Sequence, residues 1–213
     1  MPEEQTAQAV RHVAVRLAGV AQSGLAYAHN DFDVYRYKQI QSLAADILAL
    51  IASRPNAELR LEIATGSGYA TPKVDVRGAV FNSDEELLMV RERADGLWSL
   101  PGGWADPGDS PSEAVVREVL EEAGTPVEVT KVVGVWDRDR QGHTPALSAA
   151  VYKIFFLCRV TGPTVPASAL ETISSGWFSY DALPPLSPGR VTKAELDRAL
   201  EHWRDPSLPT EWD

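Results

Sequence analysis

The chain has 213 residues, 44% of them apolar, and 20 basic against 30 acidic side chains give a net charge of −10. That length allows one large domain or one domain with an appendage, and the apolar share supports a sizeable core without disulfide or metal staples. The acidic balance argues against nonspecific binding to nucleic acid or to anionic membrane, both of which favour a basic surface. It leaves a small anionic ligand open, because bound divalent ions reverse the local sign of a site.

The first residues, Met-Pro-Glu-Glu-Gln, are acidic and lack the basic and apolar regions of a signal peptide. No apolar run approaches the roughly 20 residues of a membrane helix. Val10, Val13, Leu17 and Val20, with Ala14 and Ala21, recur at helical spacing, and Gly24 reads as a break. A second helix is expected to start near Asp31 or Asp33, either of which could cap it. Val34, Tyr37, Ile40, Leu43, Ala44, Ile47, Leu48 and Ile51 form its stripe, and Arg54-Pro55 ends it. A helical hairpin over residues 1–66 cannot bury both stripes unaided, so it reads as a packing and homodimerisation element. Gly66 to Pro72 reads as a linker to a second domain over 72–213.

Strands follow: Val74 to Phe81, Leu87 to Val90 after the turn signal at Asn82 to Asp84, and Leu97 to Leu100 after the tight-turn pair Asp95-Gly96. Further strands are expected over Val127–Trp136, Ala150–Val160 and Gly176–Ser179. A last helix runs from about Thr192, with Glu195 at capping-box spacing, to Trp203, and Pro206 and Pro209 mark an extended tail. Mixed strands with helices between and after them indicate an α+β fold or an α/β/α sandwich. The single cysteine, Cys158, cannot form an intramolecular bridge and reads as a core thiol, which fits a reducing, cytoplasmic compartment.

The centre of the chain is Leu100 to Thr125. A glycine-rich loop, Leu100-Pro-Gly-Gly-Trp104, feeds a helix whose N-cap is Ser110, whose first position is Pro111 and whose stop is Gly124. Glu118, Glu121 and Glu122 stand at i, i+3 and i+4 and so share a face, where like charges repel by a few tenths of a kcal/mol per pair. A cation would relieve that repulsion. Hard oxygen donors in this number suit Mg²⁺ or Mn²⁺ better than zinc.

This stretch resembles the signature of the Nudix hydrolases. Gly103 opens it and Arg117-Glu118-Val119-Leu120-Glu121-Glu122-Ala123-Gly124 closes it, with the family's spacing kept throughout. It departs from the pattern at Asp109, where the family has Glu, and at Thr125, where an apolar residue is usual. The flanking runs Asp75-Val-Arg-Gly-Ala79, Asp95 to Trp104, Val151 to Phe156 and Trp177 to Leu186 resemble a subgroup with a helical N-terminal extension. That subgroup includes CDP-choline and ADP-ribose pyrophosphatases.

The resemblance implies an α/β/α sandwich with a mixed sheet and a hydrolase that splits the diphosphate of a nucleoside diphosphate linked to another group. It implies Glu121 and Glu122 as metal ligands, Glu118 as ligand or proton acceptor, a further ligand from the Gly103 carbonyl, and Arg117 as their brace. Glu171, six residues before Trp177, is a candidate base or extra ligand. Arg77, Arg91, Trp104 and His143 are candidates for substrate contact, and Trp98 is expected to pack in the core. Two other readings are a non-catalytic nucleotide sensor, disfavoured by the intact glutamates, and an RNA-end processing enzyme, disfavoured by the acidic charge.

Overall fold

The computed structural model describes residues 2–51, 55–168 and 172–213. The chain divides into two units. One comprises Met1–Lys73 with Pro145–Ala150, and the other Val74–Thr144 with Val151–Asp213.

The first unit is built from α1 (Pro2–Tyr27), α2 (Asp31–Ile51) and α3 (Asn56–Ala64). Helix α1 runs through Gly24 rather than breaking there. A Cβ at that glycine would lie 2.3 Å from the Tyr37 ring, so its role is to let α2 approach closely. The cap of α2 is Asn30, one residue before the expected aspartates: its Oδ1 accepts from the Asp33 N–H at 2.9 Å. Helix α3 was not anticipated, because its nine residues carry a short pattern. It buries Leu59 and Ile63 against a core of Ala14, Ala18, Ala44, Ala45 and Leu48. The stripe expected on α1 is therefore divided. Its alanines face inward, while Val13 (54% exposed), Leu17 (36%) and Val20 (61%) face out.

In the second unit, β1 (Lys73–Val80), β5 (Val151–Val160), β4 (Val127–Asp137) and β7 (Glu211–Trp212) form one sheet in that order. Strands β3 (Trp98–Ser99), β2 (Glu86–Glu92) and β6 (Thr172–Ser179) form another, with both neighbours of β2 antiparallel to it. The expected tail ends in β7, which pairs parallel to β4 at Gly134–Glu211 and Val135–Trp212, so the sheet is mixed. Helix α4 (Pro111–Ala123) and α5 (Lys193–Arg204) serve two different cores. Leu87 and Met89 of β2 and Phe155 and Leu157 of β5 join the α5 core. Leu88, Val90, Phe156 and Cys158 join the α4 core. Strands buried on both faces explain the unbroken apolar runs seen in the sequence. The fold is α+β, with helices on either side of the strands.

Both caps of α4 form as expected. The Ser110 Oγ accepts from the Glu113 N–H, and the Glu113 carboxylate accepts from the Ser110 N–H at 2.8 Å. Gly124 closes the helix at φ +64°. Thr192 and Glu195 form the equivalent box on α5.

Candidate active site

The loop before α4 is held from β1. The Val76 N–H donates to the Gly103 carbonyl at 2.8 Å, and the Gly78 N–H donates to the Pro101 carbonyl at 2.9 Å. Between them Gly102 adopts φ +142°, and a Cβ there would stand 2.0 Å from the Val76 carbonyl oxygen. Only glycine fits. Its N–H donates to the Glu122 carboxylate at 2.9 Å, joining loop and helix.

Three of the expected residues meet on α4. Arg117 spans two of its glutamates: its Nη1 donates to Glu118 at 2.9 Å and to Glu121 at 3.1 Å. Its Nε donates to Asp109 at 3.1 Å, so the shorter aspartate reaches the arginine directly. Asp106, which sequence reading passed over, lies 3.3 Å from the same guanidinium. Its loop position four residues beyond Gly102 carries no pattern that would have singled it out.

Burial shapes the carboxylates unequally. Glu122 is 5% exposed, and burial pushes its carboxyl up to about 7. The Gly102 N–H and Arg77 oppose that rise, while Glu92 and Glu118 add to it. Glu118 is also raised, again mainly by burial, with Arg117 opposing.

The donor chemistry fits a hard divalent cation. Glu118, Glu121 and Glu122 supply carboxylate oxygens from one helix face. A Cβ at Gly103 would stand 3.4 Å from the Glu118 carboxylate, so the glycine keeps space open beside it. One lone pair of the Gly103 carbonyl is engaged by Val76, which leaves the other as a possible donor. Among the described residues no three His, Cys, Asp or Glu side chains converge as a metal site. Arg117 instead supplies the positive charge between Glu118 and Glu121.

The remaining candidates scatter. Arg77 is 1% exposed, paired to Asp75 and bonded to Ser99 and Leu100. The expectation of substrate contact is corrected for this residue: its donors are committed inside the protein. His143 is corrected for the same reason. Its side chain is fully buried, with Nε2 2.8 Å from Glu195 and Nδ1 3.2 Å from the Pro188 carbonyl. Arg91 is exposed but donates from Nε to the Gly96 carbonyl at 2.8 Å, bracing the tight turn. Trp104, 47% exposed beside the loop, bridges to Asp75. Trp98 packs edge-on against Phe178, with ring centroids 4.6 Å apart. Glu171 lies outside the described residues.

Sequence reading missed Asp75 and Ser99 as partners of Arg77, and Lys153 as the second cation on Asp75. The one available signal was the alternation Asp75-x-Arg77, which puts both side chains on one face of a strand.

Comparison with known proteins agrees with this geometry. Residues 71–200 match the model of the NUDIX domain, and residues 8–61 match that of the UDP-X-like N-terminal oligomerisation domain. YjhB of Bacillus subtilis (strain 168), provisionally named an ADP-ribose pyrophosphatase, is 38% identical over 94% of this chain and 95% of its own length. The crystal structure of an ADP-ribose pyrophosphatase from Streptococcus suis 89-1591 is 43% identical, with TM-score 0.60, over 67% of this chain and all of that one. A UDP-X diphosphatase crystal structure, 27% identical with TM-score 0.60, covers 95% of this chain and 97% of that one. Signature, fold and relatives agree, and the chain belongs to the Nudix hydrolase family.

Proposed function

We propose that this protein is a Mg²⁺-dependent pyrophosphohydrolase, with Mn²⁺ able to substitute, acting on a nucleoside diphosphate linked to a second group. ADP-ribose is the first substrate to test, on the strength of the 43% and 38% identical relatives. CDP-choline and a UDP-linked compound follow, the latter because of the UDP-X diphosphatase likeness. The observation that carries the reading is the carboxylate face of α4, joined to the glycine loop through the Gly102–Glu122 hydrogen bond.

When bound, divalent cations supply charge neutralisation at the diphosphate and acidify the attacking water. The protein's own groups prepare the rest. Glu122 is held by the Gly102 N–H, and Glu118 and Glu121 are lined up by the Arg117 fork. Asp109 holds Arg117 from the loop side. Burial makes Glu118 a stronger proton acceptor than a solvated glutamate, and Glu171 is retained as the alternative base. Trp104, about half exposed beside the loop, is the aromatic side chain assigned to contact the base. The products are a nucleoside monophosphate and a phosphorylated second group.

The assembly proposed is a homodimer through the helical unit. Val13, Leu17, Val20 and Tyr27 (66% exposed) recur at steps of four, three and seven along the outer face of α1, and a second copy would cover them. The match to an oligomerisation domain supports this. The single buried thiol, Cys158, fits a cytoplasmic setting.

A panel of the three substrates with Mg²⁺, read by product mass, tests the reaction. No turnover of any of them by folded protein would refute it. Light scattering tests the assembly: Val13→Glu with Val20→Glu should convert a dimer to a monomer, and a monomeric parent chain would overturn the dimer.

A further inference from the structure

We propose that Arg77 is a positioning residue for the acidic face of α4, fixing the Leu100–Gly103 loop so that the Gly102 N–H is aimed at Glu122. This rests on reading that face as the working site.

Three consecutive residues of β1 hold the loop. The backbone N–H groups of Val76 and Gly78 take the carbonyls of Gly103 and Pro101, and the side chain of Arg77 takes that of Leu100, from Nη1 at 3.1 Å. The same nitrogen lies 3.2 Å from the Ser99 hydroxyl. The other side of the guanidinium is locked by Asp75, with Nε at 3.0 Å and Nη2 at 2.8 Å. Asp75 is in turn held by Lys153 at 2.6 Å. Lys153, Asp75 and Arg77 are all at least nine-tenths buried.

Burying two cations around one carboxylate is a poor route to stability, since apolar side chains of similar volume do as well or better. What this cluster contributes is direction. An arginine fork gripped on one edge by a carboxylate presents its remaining donors along one line, and that line ends on the Leu100 carbonyl. Two residues later Gly102 has neither space for a side chain nor slack in its backbone, and its N–H meets Glu122. The path Lys153–Asp75–Arg77–Leu100–Gly102–Glu122 runs from the middle of the four-stranded sheet to the carboxylate face.

Two variants of the whole chain separate positioning from stability. Arg77→Lys keeps the charge beside Asp75 but cannot span from it to Leu100. The triple change Asp75→Leu, Arg77→Met, Lys153→Met replaces the cluster with apolar groups, removing both cations together with the carboxylate they share. Amide hydrogen exchange is followed at Gly102 and at core positions such as Val133 and Phe155. Binding of Mn²⁺ alone is read by electron paramagnetic resonance, and kcat and KM are measured on ADP-ribose.

Each folded variant should exchange the Gly102 proton roughly tenfold faster than the parent with core amides unchanged, the loss expected when one hydrogen bond is released locally. Mn²⁺ binding should weaken, and kcat should fall by roughly tenfold with KM within about twofold. Unchanged Gly102 protection in a folded variant overturns the proposal. So does failure of both variants to fold where the parent folds, because the cluster would then hold the whole unit rather than the loop. If the parent hydrolyses no diphosphate, the hydrolase reading fails, while the exchange data still decide the role of Arg77.

Discussion

Replacing Glu122 with glutamine tests the electrostatics of the site without disturbing its shape. The amide keeps an oxygen that can accept from the Gly102 N–H, and the side chain keeps its volume. What disappears is a buried charge. An ordinary glutamate titrates at 4.5, and burial moves Glu122 to about 7. Below pH 4.5 the carboxyl is protonated in both folded and unfolded chains and contributes nothing. Between 4.5 and 7 the unfolded chain releases its proton while the folded one keeps it, so stability falls as pH rises. Above 7 the penalty is complete, and the gap corresponds to about 3 kcal/mol.

Urea unfolding in the presence of a chelator measures this penalty. All six tryptophans lie in the unit of Val74–Thr144 and Val151–Asp213, so their fluorescence reports that unit alone. Glu122→Gln should match the parent near pH 5 and exceed it by up to about 3 kcal/mol at pH 8. Saturating Mg²⁺ should reverse the order at pH 8, because the parent alone keeps the full carboxylate set for the ion. A parent–variant difference that does not change between pH 5 and pH 8 would refute the reasoning.

Gly102→Ala places a Cβ against the Val76 carbonyl oxygen, a backbone atom that cannot move aside without breaking strand β1. The loop must shift, and kcat should fall by at least roughly a hundredfold, given how steeply rates respond to misplaced groups; near-parental kcat would contradict the geometry. Asp109→Asn retains an acceptor for Arg117 but removes the charge, and a loss in kcat of roughly fivefold to tenfold is expected from weakening a charge-assisted bond. No loss would mean that Asp109 does not stand in for the family's glutamate. Burial pushes the Cys158 thiol up to about 12, so iodoacetamide at pH 8 should modify the folded protein at least about a hundredfold more slowly than the urea-unfolded chain. Mass spectrometry reads the rates, and equal rates would place the thiol outside the core.

Much of the fold was legible because its signals are local. Ser110, Pro111 and Gly124 delimit α4 by rules of capping and backbone freedom that act within a few residues, and Thr192 with Glu195 does the same for α5. The strands were legible from their apolar runs. Where the reading failed, the deciding contact came from far along the chain. Gly24 looked like a helix break, yet the Tyr37 ring on the next helix explains it. The terminal Glu211–Trp212 pair has no strand signal of its own and is ordered by pairing with β4.

The candidate site divides in the same way. Arg117 and the three glutamates share a helix face because 3.6 residues make a turn, and no other part of the chain is needed to bring them together. Arg77 and His143 looked like substrate contacts because a charged or titratable side chain carries no mark of its burial. Only the packed chain, which sets Asp75 beside one and Glu195 beside the other, turned them inward. The sequence by itself therefore determined the acidic helix face, its caps and the glycine loop that precedes it, since each depends on spacing along one segment. The tertiary structure decided which charges are buried, which donors are already committed and where the Gly102 N–H points, because those depend on residues brought together across β1, β5 and α4.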